Sequence, residues 1–344
     1  MKKVSNGFRL AVFVLLVTAL FAAPLFAEGQ KESASSGGGQ QMKEITMALG
    51  DIESIEVLHL LIALERVKEQ GVDVNLVSYK SEDVASQAVV NGQADIGIGT
   101  PYALIQNVGA PIRIFMQLAK INFYAVVNAD DYSSWEDLDG AEFVVHSRTS
   151  ATLALAMLMA QKHNIEYGKI SYVPGSEVRA VSLLRGNIKA TILDSYNKDY
   201  VLKQAPGKFK VLPLGDFVAS DEALFANTNY LEANSEVVQI LIEELLRTVR
   251  EIDQNPQVVV ELRKKYNLLP DLPSDLEPEI LPYYQTAAKD KMFPEDGGGA
   301  KAARQDFELY GAAGEIKGNP QDLKVENFWD LTPLDNALKD MQSN

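Results

Sequence analysis

Two stretches of this chain, about a hundred residues apart, can be laid on one another without a gap. The first, Glu82 to Tyr102, reads EDVASQAVVNGQADIGIGTPY, and the second, Ser176 to Tyr196, reads SEVRAVSLLRGNIKATILDSY. Val84 falls on Val178, Gly92 on Gly186, Ile98 on Ile192 and Tyr102 on Tyr196, and the pair Val89-Val90 coincides with Leu183-Leu184. Each stretch reads as a helix, a Gly-containing turn, a short buried strand and a polar loop. A chain that builds this unit twice is expected to build two similar lobes. Two lobes leave a cleft between them, which is a place to hold a small molecule.

The segments around the repeats extend the pattern. Glu44 to Leu49 reads as a strand, and Ser54 to Gln70 carries Ile55, Leu58, Ile62 and Val67 at helical spacing. Val72 to Tyr79 alternates as a strand does. The second half follows the same plan: strand Glu142 to Val145, polar loop His146 to Ser150, helix Ala151 to His163 and strand Ile170 to Val173. Alternating strands and helices predict a mainly parallel sheet with helices on its faces. The expected fold is therefore α/β, with two lobes, each a mixed, mainly parallel sheet flanked by helices, and two hinge crossings. Ile112 to Val127 reads as the first crossing, and the return is expected near Val218 to Phe225. The lobes are assigned to residues 44–121 with 224–344, and to 122–223. Asn255-Pro256 should break the helical stretch Ser235 to Tyr266, and the aromatic tail residues Phe307, Tyr310, Phe328 and Trp329 should pack onto the body.

The N-terminus has the features of an export signal. Lys2, Lys3 and Arg9 precede the apolar run Leu10 to Phe21, and Leu25-Phe26-Ala27 offers a cleavage site before Glu28. The run falls short of the roughly 20 residues of a membrane span. Residues 1–27 are thus expected to be a removed signal peptide and 28–43 a flexible leader, with the body delivered to the periplasm. The chain has no cysteine. That rules out a lipid-anchoring Cys, disulfides, a thiolate nucleophile and Cys-ligated metals. Thirty-two basic against 47 acidic residues give −15, and loss of the signal leaves about −18. Such a balance opposes nucleic-acid binding and favours solubility.

In their order along the chain, NGQADIGIGTPYAL, WEDLDGAEFVVHSRTS, GSEVRAVSLLRGNIKATIL and LEANSEVVQILIEELLRTVREIDQNP resemble the solute-binding proteins of bacterial ABC importers. The resemblance is to the NMT1/THI5-like group, which includes nitrate, sulfonate, taurine and thiamine-pyrimidine-precursor binders, and it runs from about Glu44 to Leu338. It implies two α/β lobes closing on a ligand, an ABC permease as partner and no catalysis. The chain lacks the Cys-rich motif of the pyrimidine-synthase branch. Its second-lobe loop, HSRTSAT, lacks the glycines of the sulfonate and nitrate branches, so no ligand is carried over.

Ligands of open α/β sheets bind beyond the carboxyl ends of the strands. That rule selects Asp51, Ser54, Thr100 and Tyr102 in the first half, and His146, Arg148, Thr149, Ser150, Thr152, Asp194 and Tyr196 in the second. Asn122 and Tyr124 lie on the crossing. Thr149, Ser150 and Thr152 sit where a helix begins, so its free N–H groups could hold an anion with Arg148 beside them, or Ser150 could simply cap the helix. Asp194 could accept from a ligand amine or could cap a helix. The three tyrosines could stack on a flat ring or pack the lobe walls. The three histidines are too scattered for a metal site, and no cofactor is expected. The sequence leaves open a sulfonate- or taurine-like solute and a pyrimidine- or thiamine-precursor-like one, with nitrate behind both. An exported sensor component is the alternative role, and an enzyme relative such as a pyrimidine-precursor synthase is disfavoured by the export signal. A monomer is expected.

Overall fold

The computed structural model describes residues 43–343. The segments expected to be a signal peptide, residues 1–27, and a leader, residues 28–43, lie outside them except for Lys43. The chain first lays down β1 (Lys43–Leu49), α1 (Leu58–Glu69), β2 (Val72–Ser78), α2 (Glu82–Val90), β3 (Ile96–Gly99) and β4 (Ile112–Lys120). It then passes to a second set: β5 (Phe123–Asn128), β6 (Glu142–Val145), α3 (Ala151–His163), β7 (Lys169–Tyr172), α4 (Ser176–Leu184), β8 (Ala190–Asp194), α5 (Ser195–Gln204) and β9 (Phe209–Leu212). It returns through β10 (Ser220–Asn227) and ends in α6 (Thr228–Ala233), α7 (Ser235–Gln254), α8 (Gln257–Tyr266), α9 (Ile280–Lys289), α10 (Gly299–Ala312) and α11 (Thr332–Ser343).

The strands form two five-stranded sheets, ordered β2-β1-β3-β10-β4 and β7-β6-β8-β5-β9. In each, three parallel strands are followed by two strands in antiparallel pairing. The strand that closes the repeat unit, β3 or β8, lies beside the strand adjoining a crossing, β10 or β5. The run Ile112 to Val127, expected as one crossing, is two strands in different sheets, divided at Ile121 and Asn122. Asn122 binds Asp290 instead of continuing either ladder.

Packing explains these elements. In α7, Val237, Leu241, Leu245, Val249 and Ile252 recur along one face and are all buried. Each such side chain contributes roughly 1.5–3 kcal/mol of burial. The helix stops at Gln254 because Pro256 cannot donate a backbone hydrogen bond. An apolar cluster takes in Phe225 of the first lobe, Phe143 and Leu155 of the second, and Phe307 and Tyr310 of α10, with Phe328 and Trp329 of the tail. Beneath it, Asp306 accepts from Tyr102, from the Ser220 amide and from the Ser220 hydroxyl, and Trp329 Nε1 donates to Tyr102 at 2.9 Å. This buried network fixes the start of β10, and the next two residues, Asp221 and Glu222, face the space between the lobes.

Candidate ligand-binding site

A cavity lies between the lobes at the carboxyl ends of β1, β6 and β8. From the first lobe it takes Asp51, Glu56, His59 and Glu82, with Asp221 and Glu222 of β10. From the second it takes His146, Ser150, Thr152, Ser176, Arg179 and Asp194. Phe123, Tyr283, Met292 and Phe293 give it an apolar wall.

Local geometry positions the polar groups. Gly50 lets the loop after β1 lie against the start of α2, where an added Cβ would come within 2.4 Å of Glu82 Cα. Asp51 Oδ1 accepts from the Ile52 amide at 2.7 Å. His146 enters from the other lobe: its Nε2 lies 3.3 Å from the Gly50 carbonyl and 3.6 Å from a Glu82 carboxylate oxygen, and its Nδ1 lies 3.8 Å from Asp51. Asp194 caps α5 by accepting from the Asn197 amide at 2.8 Å, and Asn197 Nδ2 also reaches across to Glu56 at 2.9 Å. Arg179 is buried and donates to the carbonyls of Val173 and Ile192. The other Glu82 oxygen, Oε2, is buried with no hydrogen-bond partner among the described residues, and so is His59 Nε2.

The charges do not balance. Six carboxylates line the cavity against one guanidinium. Burial pushes Asp51 up to about 6, opposed by the Ile52 amide and Arg179. Burial, then repulsion from neighbouring acids including Asp221 and Glu222, drives Glu82 well above the carboxylate range. Asp221 is raised to about 7, chiefly by burial, and Glu222 further, by burial and Asp221. Burial and the nearby Glu177 raise Glu56. Burial lowers His59 and His146 to about 4, so both are neutral near pH 7.

Of the residues selected from sequence, Asp51, His146, Ser150, Thr152 and Asp194 are brought together at this cavity. Ser150 caps α3, accepting from the Leu153 amide at 3.3 Å, and lies 2.8 Å from the Thr152 hydroxyl. Ser54 accepts from the Glu56 amide in the loop below. Thr100 bridges the lobes to the Thr149 carbonyl at 3.4 Å. Tyr102 is in the core network with Asp306. Arg148 lies over the Tyr172 ring, 4.7 Å from its centroid, in an outer groove. Tyr124 packs under Lys198, and with Asn122 it lines a different groove, beside Leu214 to Val218. Tyr196 bonds to Glu279 and meets Tyr283 edge-on. Sequence reasoning passed over Glu56, Glu82, Arg179, Asp221 and Glu222. Three of these had a signal: Glu82 opens the repeat itself, and Asp221-Glu222 is an acidic pair inside the expected return crossing.

The two sheets and the cavity between them define the two-lobed fold of the periplasmic binding proteins. The model of the NMT1/THI5-like family matches residues 63–258. The chain belongs to the NMT1/THI5-like family. No curated protein matches the sequence. Among solved structures, one from Bordetella bronchiseptica RB50 aligns with a TM-score of 0.70 at 19% identity, covering 87% of this chain and 98% of that one. The periplasmic nitrate-binding protein NrtA from Synechocystis PCC 6803 aligns with a TM-score of 0.65 at 12% identity, covering 88% and 90%. The alkanesulfonate-binding protein SsuA from Xanthomonas axonopodis pv. citri, bound to MOPS, aligns with a TM-score of 0.55 at 14% identity, covering 83% and 98%. At these identities the likeness establishes the fold.

Proposed function

We propose that this chain is the exported solute-binding component of an ABC importer, capturing a small solute between its lobes and handing it to a membrane permease. The observation that carries this reading is the cavity where the two sheets' strand ends meet, with side chains from both lobes directed into it. Residues on opposite lobes also touch directly, through His146 and Gly50, Asn197 and Glu56, and Thr100 and Thr149. A solute held by both walls favours the closed arrangement by its differential affinity, and the permease would read the lobe faces beside the cleft mouth. Of the two solute classes, the lining favours a nitrogenous, pyrimidine-like ring over a sulfonate, since six carboxyl groups offer acceptors to ring and amine N–H groups while a single guanidinium is present to pair an anion. The Ser150 hydroxyl and the start of α3 are engaged in capping, which weakens the anion reading. The test is small-angle scattering of the mature protein with a panel of sulfonates, taurine, nitrate, pyrimidines and amines. A hit should raise the melting midpoint by a few degrees at a hundredfold excess over Kd and reduce the radius of gyration. A ligand that binds without compaction would defeat the clam-shell mechanism.

A further inference from the structure

Six carboxyl groups line the cavity beside one guanidinium, and one oxygen of Glu82 has no hydrogen-bond partner among the described residues. Glu82 lines the cavity and is 8% exposed, its Oε2 is buried with no partner among the described residues, and its Oε1 lies 3.6 Å from the His146 imidazole. A buried carboxylate oxygen without a donor is expensive, and what relieves it is a positively charged donor. His59, which also lines the cavity, has a buried Nε2 with no partner among the described residues, and its ring stacks on Phe293 with centroids 4.0 Å apart. Phe123, Tyr283 and Phe293 add aromatic surface to the same cavity.

Resting on the capture reading above, we infer that the solute is a small organic cation of the amine, amidine or guanidine type, its charged nitrogen met by Glu82, Asp51 and the Asp221-Glu222 pair and its apolar part laid against the aromatic surface. The carboxylates approach from three separate segments: the loop after β1, the start of α2 and the start of β10. Several N–H donors on one cationic head can answer acids arriving from different directions, with charge-assisted hydrogen bonds. A metal ion demands a tighter gathering, and among the described residues no group of three or more His, Cys, Asp or Glu is placed to hold one. The aromatic rings cover the apolar part of the ligand and exclude water from the charged contacts.

The experiment is calorimetric titration of the mature protein with benzamidine, agmatine and phenethylamine, set against taurine, MOPS, nitrate and zinc chloride, with scattering on every ligand that binds. At least one amine or amidine should bind, and the anions should not. Glu82→Gln and Asp221→Asn should each weaken that binding at least tenfold while leaving the ligand-free melting midpoint unchanged or raised, because each removes a buried repulsion. A purely structural role for these acids would lower the midpoint and spare the affinity. Binding and compaction with an anion, and none with the cations, would overturn the cation while leaving solute capture standing. Binding of zinc alone, or unchanged affinity in both variants, would also overturn it. Binding without compaction by any compound would count against capture itself.

Discussion

The two copies of the repeated unit share a backbone and differ in their chemistry. In the first lobe the unit is α2, a turn at Gly92 with φ 71° and β3; in the second it is α4, a turn at Gly186 with φ 74° and β8. Both helices begin at the cavity, yet the first residue is Glu82 in one and Ser176 in the other. One turn further, Ala85 in the first lobe corresponds to Arg179 in the second. Just past the strand, Thr100 corresponds to Asp194. The repeat therefore fixes where helix starts and strand ends meet the cleft and leaves the side chains there free to diverge. One lobe supplies most of the acid and the other supplies the guanidinium.

Exchanging that difference should have the largest effect. Arg179 is buried, donates to the carbonyls of Val173 and Ile192, and lies among Glu56, Asp51, Glu177 and Asp194. Arg179→Ala, which gives the second lobe the first lobe's residue, should cost about 3–5 kcal/mol. Chemical denaturation measures it, and a loss under 1 kcal/mol would show that the guanidinium is not what holds the acids in place.

The acid-rich lobe should also set the pH profile of the ligand-free protein. Asp51, Asp221 and Glu315 are raised to about 6, 7 and 7, Glu56, Glu82 and Glu222 are raised further, and Asp306 in the core is raised to about 6, burial being the leading cause in each. Carboxyls whose folded pKa is raised contribute stability that is complete below their unfolded values near 4 and is lost as pH rises through the folded ones. His59 and His146, lowered from 6.5 to about 4, contribute the opposite way: their stability is present above 6.5 and lost as pH falls through 4. Between these limits the two effects oppose. Above pH 6.5 only the carboxyls titrate, so the melting midpoint should fall by several degrees from pH 6.5 to about 8. The double variant Glu82→Gln, Asp221→Asn should flatten that limb, and a profile rising through the same range would contradict it.

The terminal tyrosines of the two units test a finer contrast. Tyr102 is fully buried, donating to Asp306 and accepting from Trp329. Tyr102→Phe leaves both groups short of a partner and should cost about 1–3 kcal/mol. Tyr196 is only half-buried and bonds to Glu279. Tyr196→Phe should cost about 0.5–1 kcal/mol and act mainly on lobe closure, since α5 and the segment before α9 belong to different lobes. Equal losses in the two variants would remove the distinction.

Much of this architecture was legible in the sequence because it depends on pattern. The repeat, the α3 boundaries and the break at Pro256 follow from spacing and from residues with one dominant conformational effect. Asp51, His146 and Asp194 could be placed at the cleft because strand ends are topologically determined. What the pattern could not show is direction. Arg148 leaves the loop outward, onto Tyr172, whereas Arg179, inside a helix that reads as ordinary amphipathic sequence, points inward. Tyr102 and Tyr196 align by sequence, but whether each ring turns to core or cleft depends on the segment before α9, on α10 and on the tail, whose contacting residues lie 83 positions from Tyr196 and 204 and 227 from Tyr102. The acidity of the cavity was hidden for the same reason: its carboxylates come from segments that meet only in the folded chain.

The smallest expected effect bears on whether the two backbones are equivalent in energy as well as in shape. Gly92 and Gly186 both occupy the left-handed region, and around both, a Cβ would meet nothing within 4 Å. Substitution by alanine therefore adds the conformational cost without a clash, roughly 1–2 kcal/mol at each site. The sites lie in different lobes, so the double variant should show the sum to within about 0.5 kcal/mol. Equal and additive losses would mean that each turn is an independent copy of one structural solution. If Gly186→Ala costs clearly more, the second unit carries strain that the first does not, and Arg179, seven positions earlier and tied to carbonyls on either side of the turn, is where that strain would originate. Repeating Gly186→Ala in the Arg179→Ala background separates the two: a cost that drops to the Gly92→Ala value assigns the difference to the guanidinium, and a cost that stays high assigns it to the turn.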